Sequence, residues 1–432
     1  MKKVYIGMSA DIVHPGHLNI LLEGSKLGRV IVGVLTDEAI VSYKRLPYLS
    51  FNQRKQIIQS IKYVDEVIAQ KTLDYTDNLY SIKPDYVVHG DDWKKGPQKK
   101  TRENVIKVIS EWGGKVIDIP YTKGISSTML NNKIDSIGTT PEIRLKRLRR
   151  LLEVKPILRL IESHSGLTGL IAQNTRIDKK GINFEFDGMW SSSLTDSTLK
   201  GKPDIETVDL TKRLEGLNDI LECTNKPIIY DGDTGGKIEH FTFTVRTLER
   251  HGISAVIIED KIGLKKNSLL GNSVPQVQDS IDNFSKKISE GKKAQITDHF
   301  MIIARVESFI LGKSINDALK RSFAYIDAGA DGIMIHSKNK NGNDIKEFCK
   351  KFRSKNETIP IVVVPTTYNH IKEDEFQKMG VNIVIYANHL LRSSYPAMLN
   401  VAKSILIHGR SYETDKDCLS IKDILKLIPG TK

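Results

Sequence analysis

From about Lys155 onward the chain repeats one pattern: a short apolar run, then a stretch with helical spacing. The runs are Ile157 to Ile161, Phe184 to Trp190, Ile228 to Asp231, Ala255 to Glu259, Met301 to Arg305, Gly332 to His336, Ile361 to Val364 and Ile383 to Ala387. Helical stretches such as Glu239 to His251, Ile315 to Ala328 and Ile345 to Lys351 lie between them. Eight strand-helix units over roughly 270 residues match the size of a closed (β/α)8 barrel.

The amino-terminal part has a different rhythm. Strand-like runs at Val4 to Gly7, Val30 to Leu35, Asp65 to Ala69, Tyr86 to His89 and Lys115 to Ile119 alternate with helical or polar stretches, as βαβ units do. An open, Rossmann-like α/β sheet is expected there, with its ligands outside the carboxyl ends of the strands. The organisation read from the 432 residues is therefore a sheet domain over 1–135, a basic helical linker over 136–155, and a barrel with a carboxyl-terminal tail over 156–432.

Composition narrows the class. Hydrophobic content of 39% with 27% charged residues describes an ordinary globular protein. No apolar run approaches the ~20 residues of a membrane helix, and no apolar stretch of signal-peptide length follows Met1, so no membrane association and a cytoplasmic location are expected. Cys223, Cys349 and Cys418 lie far apart without metal-ligand spacing. The net charge of +13 and the run Arg144-Leu-Lys-Arg-Leu-Arg-Arg150 invite a nucleic-acid reading. Leu145, Leu148, Leu151 and Leu152 keep helical spacing in that run, so an apolar face with a solvated cationic face explains it without nucleic acid.

In a barrel of this kind the active site lies at the carboxyl ends of the strands. The residues at or just past those ends are Trp190 and Ser192, Asp231 and Asp233, Glu259, Arg305 and His336. Asp231 and Asp233 are two apart, which in extended chain points both side chains the same way. With Glu259 they form an oxygen-rich set suited to a hard divalent cation such as Mg²⁺. Arg305 and His336 can hold phosphate or carboxylate oxygens. Taken singly, a turn explains the Asp-Gly-Asp stretch and a buried ion pair explains Arg305; together on one rim they point to a site.

These residues carry a family resemblance. Asp187-Gly-Met-Trp-Ser-Ser-Ser193, Lys202-Pro-Asp204, Asp231-Gly-Asp-Thr-Gly235, Glu259-Asp-Lys-Ile-Gly-Leu-Lys-Lys-Asn-Ser268, Ala304-Arg-Val-Glu307, His336-Ser-Lys338 and Ala387-Asn-His389 resemble the phosphoenolpyruvate mutases of the isocitrate lyase superfamily. Lyases of that superfamily carry a catalytic cysteine in the loop that here reads Lys265-Lys-Asn-Ser268, and no cysteine falls there. The related phosphonopyruvate hydrolases lack the asparagine matching Asn267. The resemblance implies isomerisation of phosphoenolpyruvate to phosphonopyruvate. By the family's pattern Asp231 coordinates Mg²⁺, and Asp204, Asp233 and Glu259 reach it through water. Trp190 and Ser192 line the enolpyruvate end. Asn267, Arg305 and His336 hold the migrating phosphoryl group, and Lys265 and Asn267 ride a loop that closes to exclude water.

In the first domain Met8-Ser-Ala-Asp-Ile-Val-His14-Pro-Gly-His17 turns a strand into a helix whose free amides can receive phosphate oxygens. Lys44, Arg54, His89-Gly-Asp91-Asp-Trp93 and Tyr121-Thr-Lys-Gly-Ile-Ser126-Ser127-Thr128 follow in order. Together they resemble the cytidylyltransferases of the nucleotidyltransferase superfamily. The resemblance implies His14, His17, Lys44 and Ser126 to Thr128 around the triphosphate of CTP, with Asp91 and Trp93 near the nucleoside. It departs at Tyr121, where the family has arginine, which suggests a different acceptor.

Fusion of the two domains resembles the bifunctional proteins of phosphonate biosynthesis, in which CMP passes from CTP to a small phosphonate such as 2-hydroxyethylphosphonate. A homo-oligomer, dimer or tetramer, is expected by analogy with related barrels. The rival readings are a phosphonopyruvate hydrolase or carbon-carbon lyase barrel, and a non-catalytic nucleotide-binding amino-terminal module.

Overall fold

The computed structural model describes residues 1–94, 98–120, 139–179 and 182–428. They form two compact units: Met1–Leu158 with Gln173–Asp187 and Glu222–Pro227, and Arg159–Ala172 with Gly188–Leu221 and Ile228–Lys432. Among the described residues no helix is long and apolar enough to cross a membrane.

The first unit is built on five parallel strands, β1 (Lys3–Met8), β2 (Arg29–Leu35), β3 (Glu66–Gln70), β4 (Tyr86–Gly90) and β5 (Lys115–Ile119), in the order β3-β2-β1-β4-β5. Strand alternation sends Val4, Ile6 and Met8 with Val30, Val32 and Val34 into one core, and Tyr5, Ile31 and Val87 with Trp93, Val105 and Ile109 into the other. Burial on both faces explains why these runs are nearly continuous in apolar residues. The strand order reverses between β1 and β4, the switch point at whose carboxyl ends open sheets of this kind place ligands. Gly7, next to that end of β1, leaves room for the Tyr75 ring, which a Cβ would meet at 2.4 Å.

The second unit is a closed parallel barrel. Its first strand is β6 (Leu158–Glu162); the antiparallel hairpin of β7 (Arg176–Lys179) and β8 (Ile182–Glu185) that comes next in the chain belongs to the first unit, and the barrel continues with β9 (Gly188–Ser191), β10 (Ile228–Asp231) and β11 (Ala255–Glu259). A two-stranded ribbon, β12 (Lys261–Ile262) and β13 (Val277–Gln278), precedes β14 (Met301–Val306), β15 (Gly332–Ile335), β16 (Ile361–Val363) and β17 (Ile383–Tyr386). The barrel closes through β6-β9-β10-β11-β14-β15-β16-β17. Helices wrap it by their apolar stripes: in Asn343–Arg353 the buried residues are Ile345, Phe348, Cys349 and Phe352, one face of a 3.6-residue period.

Two sequence expectations change here. The run Phe184 to Trp190 is not one strand: it divides into β8 and β9 at Phe186 and Asp187. Lys226 Nζ donates to the Phe186 carbonyl and Lys155 Nζ to Asp187 at 2.6 Å, while Gly188 to Ser191 are wholly buried in the barrel. The alternation Phe184-Glu-Phe-Asp187 suits a half-exposed hairpin, and the buried Gly-Met-Trp-Ser suits a barrel wall.

The helix Pro141–Val154 buries Leu145, Leu148 and Leu151 as expected, but its cationic side is not simply solvated. Arg144 is 1% exposed and donates to Thr224 Oγ1 (3.1 Å), the Lys226 carbonyl (2.8 Å) and the Thr224 carbonyl. Arg147 donates to the Asn225 carbonyl (3.1 Å) and Arg150 to the Tyr48 carbonyl (2.9 Å). These arginines brace the first unit from within. Arg144→Met, which strips buried carbonyls of their donor, should lower the unfolding free energy by about 2–4 kcal/mol. Lys146→Met, at a solvent-exposed ion pair with Glu142, should change it by under about 0.5 kcal/mol in the same denaturant titration.

Candidate active site

The barrel site opens at the carboxyl ends of β9, β10, β11, β14 and β15. Asp231 ends β10, and its carboxylate accepts from Ser193 N (3.2 Å), Ser193 Oγ (2.8 Å) and Asp233 N (3.3 Å). Asp233 does not continue an extended chain, as the two-residue spacing suggested. Its φ is +53°, so a left-handed turn brings it alongside Asp231, and the two carboxylates converge by a turn, not by strand pleat. Arg213, from the helix Leu210–Cys223, braces this turn: it donates to the Asp231 carbonyl (2.5 Å) and Asp196 (2.7 Å) and lies 3.5 Å from Asp233.

The loop between β12 and β13 sits over these groups. Lys265 is buried, and its ammonium donates to Ser193 Oγ (2.5 Å), to Asp204 (2.7 Å) and to Asp233. Asn267 Nδ2 donates to the other Asp204 oxygen at 2.9 Å. On the far side Arg305 donates to Glu307 (2.7 Å) and Ser268 Oγ (2.5 Å). It also lies 3.0 Å from His336 Nδ1 and 3.2 Å from Glu259. Trp190, Ser192, Asp204, Asp231, Glu259, Lys265, Asn267, Arg305 and His336 line one cavity, with Asp233 bonded to Lys265 at its edge. All ten barrel residues singled out in the sequence thus come together.

The electrostatics of the rim are unbalanced. Five carboxylates, Asp204, Asp231, Asp233, Glu259 and Glu307, lie against four cations, Lys261, Lys265, Arg305 and Arg213. Burial works against the charge on Asp231, yet Lys265, Arg213 and Arg305 hold it below the usual carboxylate range. Burial and the charge of Asp231 push Asp233 up. Burial lifts Glu259 to about 7, with Glu307 adding repulsion against the pull of Arg305 and Lys261. Both Glu259 oxygens are buried without a hydrogen-bond partner, although cations stand 3.1 and 3.2 Å away. Unmatched negative charge and an oxygen-only donor set fit a hard divalent cation. Among the described residues no three carboxylates close on one point at ligand spacing, and the Lys265 ammonium is the cation that Asp204 and Asp233 share.

The sequence reading assigned no role to Ser193, Arg213, Lys261 and Glu307. Arg213 left a signal: with Leu217 and Ile220 it lies on the buried stripe of its helix, where an unpaired cation is costly. Glu307 is two residues beyond Arg305 and so rises from the same strand end.

In the first unit, His14 caps the helix Pro15–Leu27. Its Nδ1 accepts from Gly16 N (3.1 Å), and His17 Nδ1 accepts from His14 N (3.4 Å). With both Nδ1 atoms accepting, the neutral rings carry their hydrogens on Nε2. Burial lowers both imidazoles, His17 to about 3, where the neighbouring His14, Lys44 and His89 add to the effect. The rings stand 4.0 Å apart, and Lys44 Nζ donates to Ser9 Oγ at 3.0 Å. His14, His17 and Lys44 therefore gather at the carboxyl end of β1.

Other expectations shift. Trp93 is 1% exposed, donates to Asp118 (2.7 Å) and stacks on His89 at 4.2 Å. Its ring packs in the second core of the first unit. Arg54 is fully buried on the Ser9, Leu35 and Leu49 carbonyls and Asp37, which makes it a brace for this loop. Asp91 begins the short helical turn after β4, half-buried at the carboxyl end of that strand. Ser126, Ser127 and Thr128, with Tyr121, lie outside the described residues.

Residues 148–406 match the family model described as phosphoenolpyruvate phosphomutase. The chain belongs to the phosphoenolpyruvate phosphomutase family. It is 34% identical over 300 residues to the phosphoenolpyruvate phosphomutase of Tetrahymena pyriformis, covering 69% of this chain and 95% of that protein. A solved phosphonopyruvate hydrolase in complex with oxalate and Mg²⁺ superposes with a TM-score of 0.59 at 30% identity, over 67% of this chain and 95% of that one. Joined to this phosphomutase-family barrel, residues 5–133 match the model described as cytidylyltransferase-like, so the chain carries a cytidylyltransferase-like amino-terminal domain. Over 132 residues that part is 32% identical to the ethanolamine-phosphate cytidylyltransferase of Arabidopsis thaliana, covering 29% of this chain and 30% of that protein.

Burial also pushes Lys44 down, to about 8, so its ammonium is present below that pH and lost above it. Affinity for inorganic triphosphate should therefore fall between about pH 7 and 9.5, and Lys44→Arg should hold it level. Calorimetric titration of the free protein checks this, and a flat wild-type profile would remove Lys44 from the anion site.

Proposed function

We propose that the barrel interconverts phosphoenolpyruvate and phosphonopyruvate, and that the amino-terminal domain transfers CMP from CTP to a small phosphonate such as 2-hydroxyethylphosphonate. The observation that carries the first part is the junction, on one rim, of a carboxylate set with the Arg305 and His336 pair beneath a loop bearing Lys265 and Asn267.

Asp231, with Asp204, Asp233 and Glu259 through water, would hold Mg²⁺. That ion supplies charge neutralisation for the substrate's carboxylate and enolate oxygens. In the isomerisation the bond from phosphorus to the enol oxygen breaks and one from phosphorus to C3 forms. No proton enters or leaves, so the site needs placement and charge stabilisation instead of a strong base. Burial and Arg305 keep His336 below its ordinary value, which suits a neutral hydrogen-bonding group beside the phosphoryl oxygens. Asn267 and Arg305 hold the same group from the loop and from β14. Trp190 and Ser192 bound the enolpyruvate end, and the buried Lys265 keeps water out while matching negative charge.

In the first domain the Nε2 hydrogens of His14 and His17 and the Lys44 ammonium would meet the triphosphate, with Asp91 and Ser126 to Thr128 completing the site. A phosphonate oxygen attacks the α-phosphorus, the α–β bridging bond breaks and pyrophosphate leaves. A self-associated form is proposed as well: no residue of the helix His389–His408 is buried, and Leu406 and Ile407 are 84% and 75% exposed.

Two outcomes test these assignments by ³¹P NMR in the presence of Mg²⁺. Asn267→Ala should reduce conversion of phosphonopyruvate to phosphoenolpyruvate by at least about 10²-fold; wild-type turnover would remove Asn267 from the phosphoryl site. With CTP and a panel of small phosphonates, one acceptor should yield a CMP ester and pyrophosphate. Binding of CTP without pyrophosphate release across the panel would favour a nucleotide sensor.

A further inference from the structure

Lys261 has no place in the chemistry above, yet it has more partners than any substrate-facing lysine of the rim. It is 3% exposed, at the start of the ribbon that carries the loop. Its Nζ donates to the Lys266 carbonyl (2.9 Å), Ser268 Oγ (3.0 Å) and Gln276 Oε1 (2.9 Å), three points along that loop. The same ammonium stands 3.1 Å from Glu259 and 3.3 Å from Glu307, carboxylates rising from β11 and β14. Its hydrogen bonds thus hold the loop and its ion pairs hold the barrel.

Ser268 repeats the link. Its hydroxyl donates to Glu307 and accepts from Lys261 and from Arg305 at 2.5 Å, which uses its full hydrogen-bonding capacity. Glu307 closes the circuit. One oxygen accepts from Ser268 and faces Lys261; the other accepts from Arg305 at 2.7 Å and lies 3.2 Å from His336 Nδ1. With the loop lifted, Glu307 would lose Ser268, its hydroxyl partner on the side opposite Arg305 and His336, and Lys261, which faces the same oxygen, would lose its three acceptors on the loop. A fully buried carboxylate cannot keep its geometry through such a loss.

We propose that Lys261 and Glu307 are positioning residues that latch the loop and, through Ser268, set Arg305 and His336 in place only when the loop is down. The phosphoryl group is then gripped only in a site closed to water. This inference rests on the mutase reading for its consequence, though not for its geometry. A broken latch admits water: its oxygen bonds to phosphorus, the carbon–phosphorus bond breaks, and C3 takes the proton. Phosphonopyruvate and water then yield pyruvate and phosphate in place of phosphoenolpyruvate.

The test uses the full chain with Mg²⁺. In Lys261→Met, the pyruvate and phosphate formed per phosphoenolpyruvate should rise by at least about tenfold, with KM for phosphonopyruvate moving by less than about threefold. Limited trypsin cleavage between residues 262 and 276 should accelerate by about tenfold without substrate. Ser268→Ala, which deletes only the hydroxyl, should move both readouts the same way and serves where Lys261→Met does not fold. Wild-type partitioning and cleavage in the folded variants would overturn the latch. If the wild-type protein does not interconvert phosphoenolpyruvate and phosphonopyruvate, the functional reading fails, while the cleavage comparison still decides the latch.

Discussion

The barrel rim depends on holding several carboxylates together out of water. Asp231, Asp233, Glu259 and Glu307 are each under 10% exposed, and such groups stay charged only when cations and donors surround them. The chain supplies those cations from different directions: Arg213 from a helix, Arg305 from a strand end, Lys261 from β12 and Lys265 from the loop between β12 and β13. Because Lys265 rides on that loop and Lys261 is hydrogen-bonded to it, the position of the loop and the charge balance of the rim are coupled. Glu259 is left with both oxygens buried and without a hydrogen-bond donor, and Lys261 and Arg305 stand beside it only as ion-pair partners.

This arrangement also explains why the strands end as they do. The barrel strands β10, β11 and β14 are apolar through the wall and change character where they meet the cavity, so Asp231, Glu259 and Arg305 fall at or next to their carboxyl ends. Glu259 and Arg305 occupy paired positions on neighbouring strands, and that register sets their ion pair.

The amino-terminal site uses the opposite strategy. Its imidazoles are kept neutral by burial and by neighbouring positive charge, with backbone amides fixing the hydrogen on Nε2. A neutral donor pair at a helix start suits an anion that brings its own charge. Lys44 adds a single tunable charge, and Arg54, on the helix Phe51–Gln59, is wholly taken up by carbonyls and Asp37.

Local pattern was enough to determine much of this. Apolar runs broken by helical spacing gave the barrel and the open sheet, because burial on both faces of a parallel strand leaves a continuous apolar signature. The rim residues were legible for a related reason: polar groups stand out at the ends of such runs. Tertiary structure alone decided three things. It decided which charges meet, since the Lys261 and Glu307 pair joins residues 46 apart that no periodicity relates. It decided that Asp233 arrives by a left-handed turn, a backbone state that spacing does not encode. It decided that Trp93, Arg54 and Arg144 face inward, because whether a large polar side chain finds buried partners depends on elements far away in the chain.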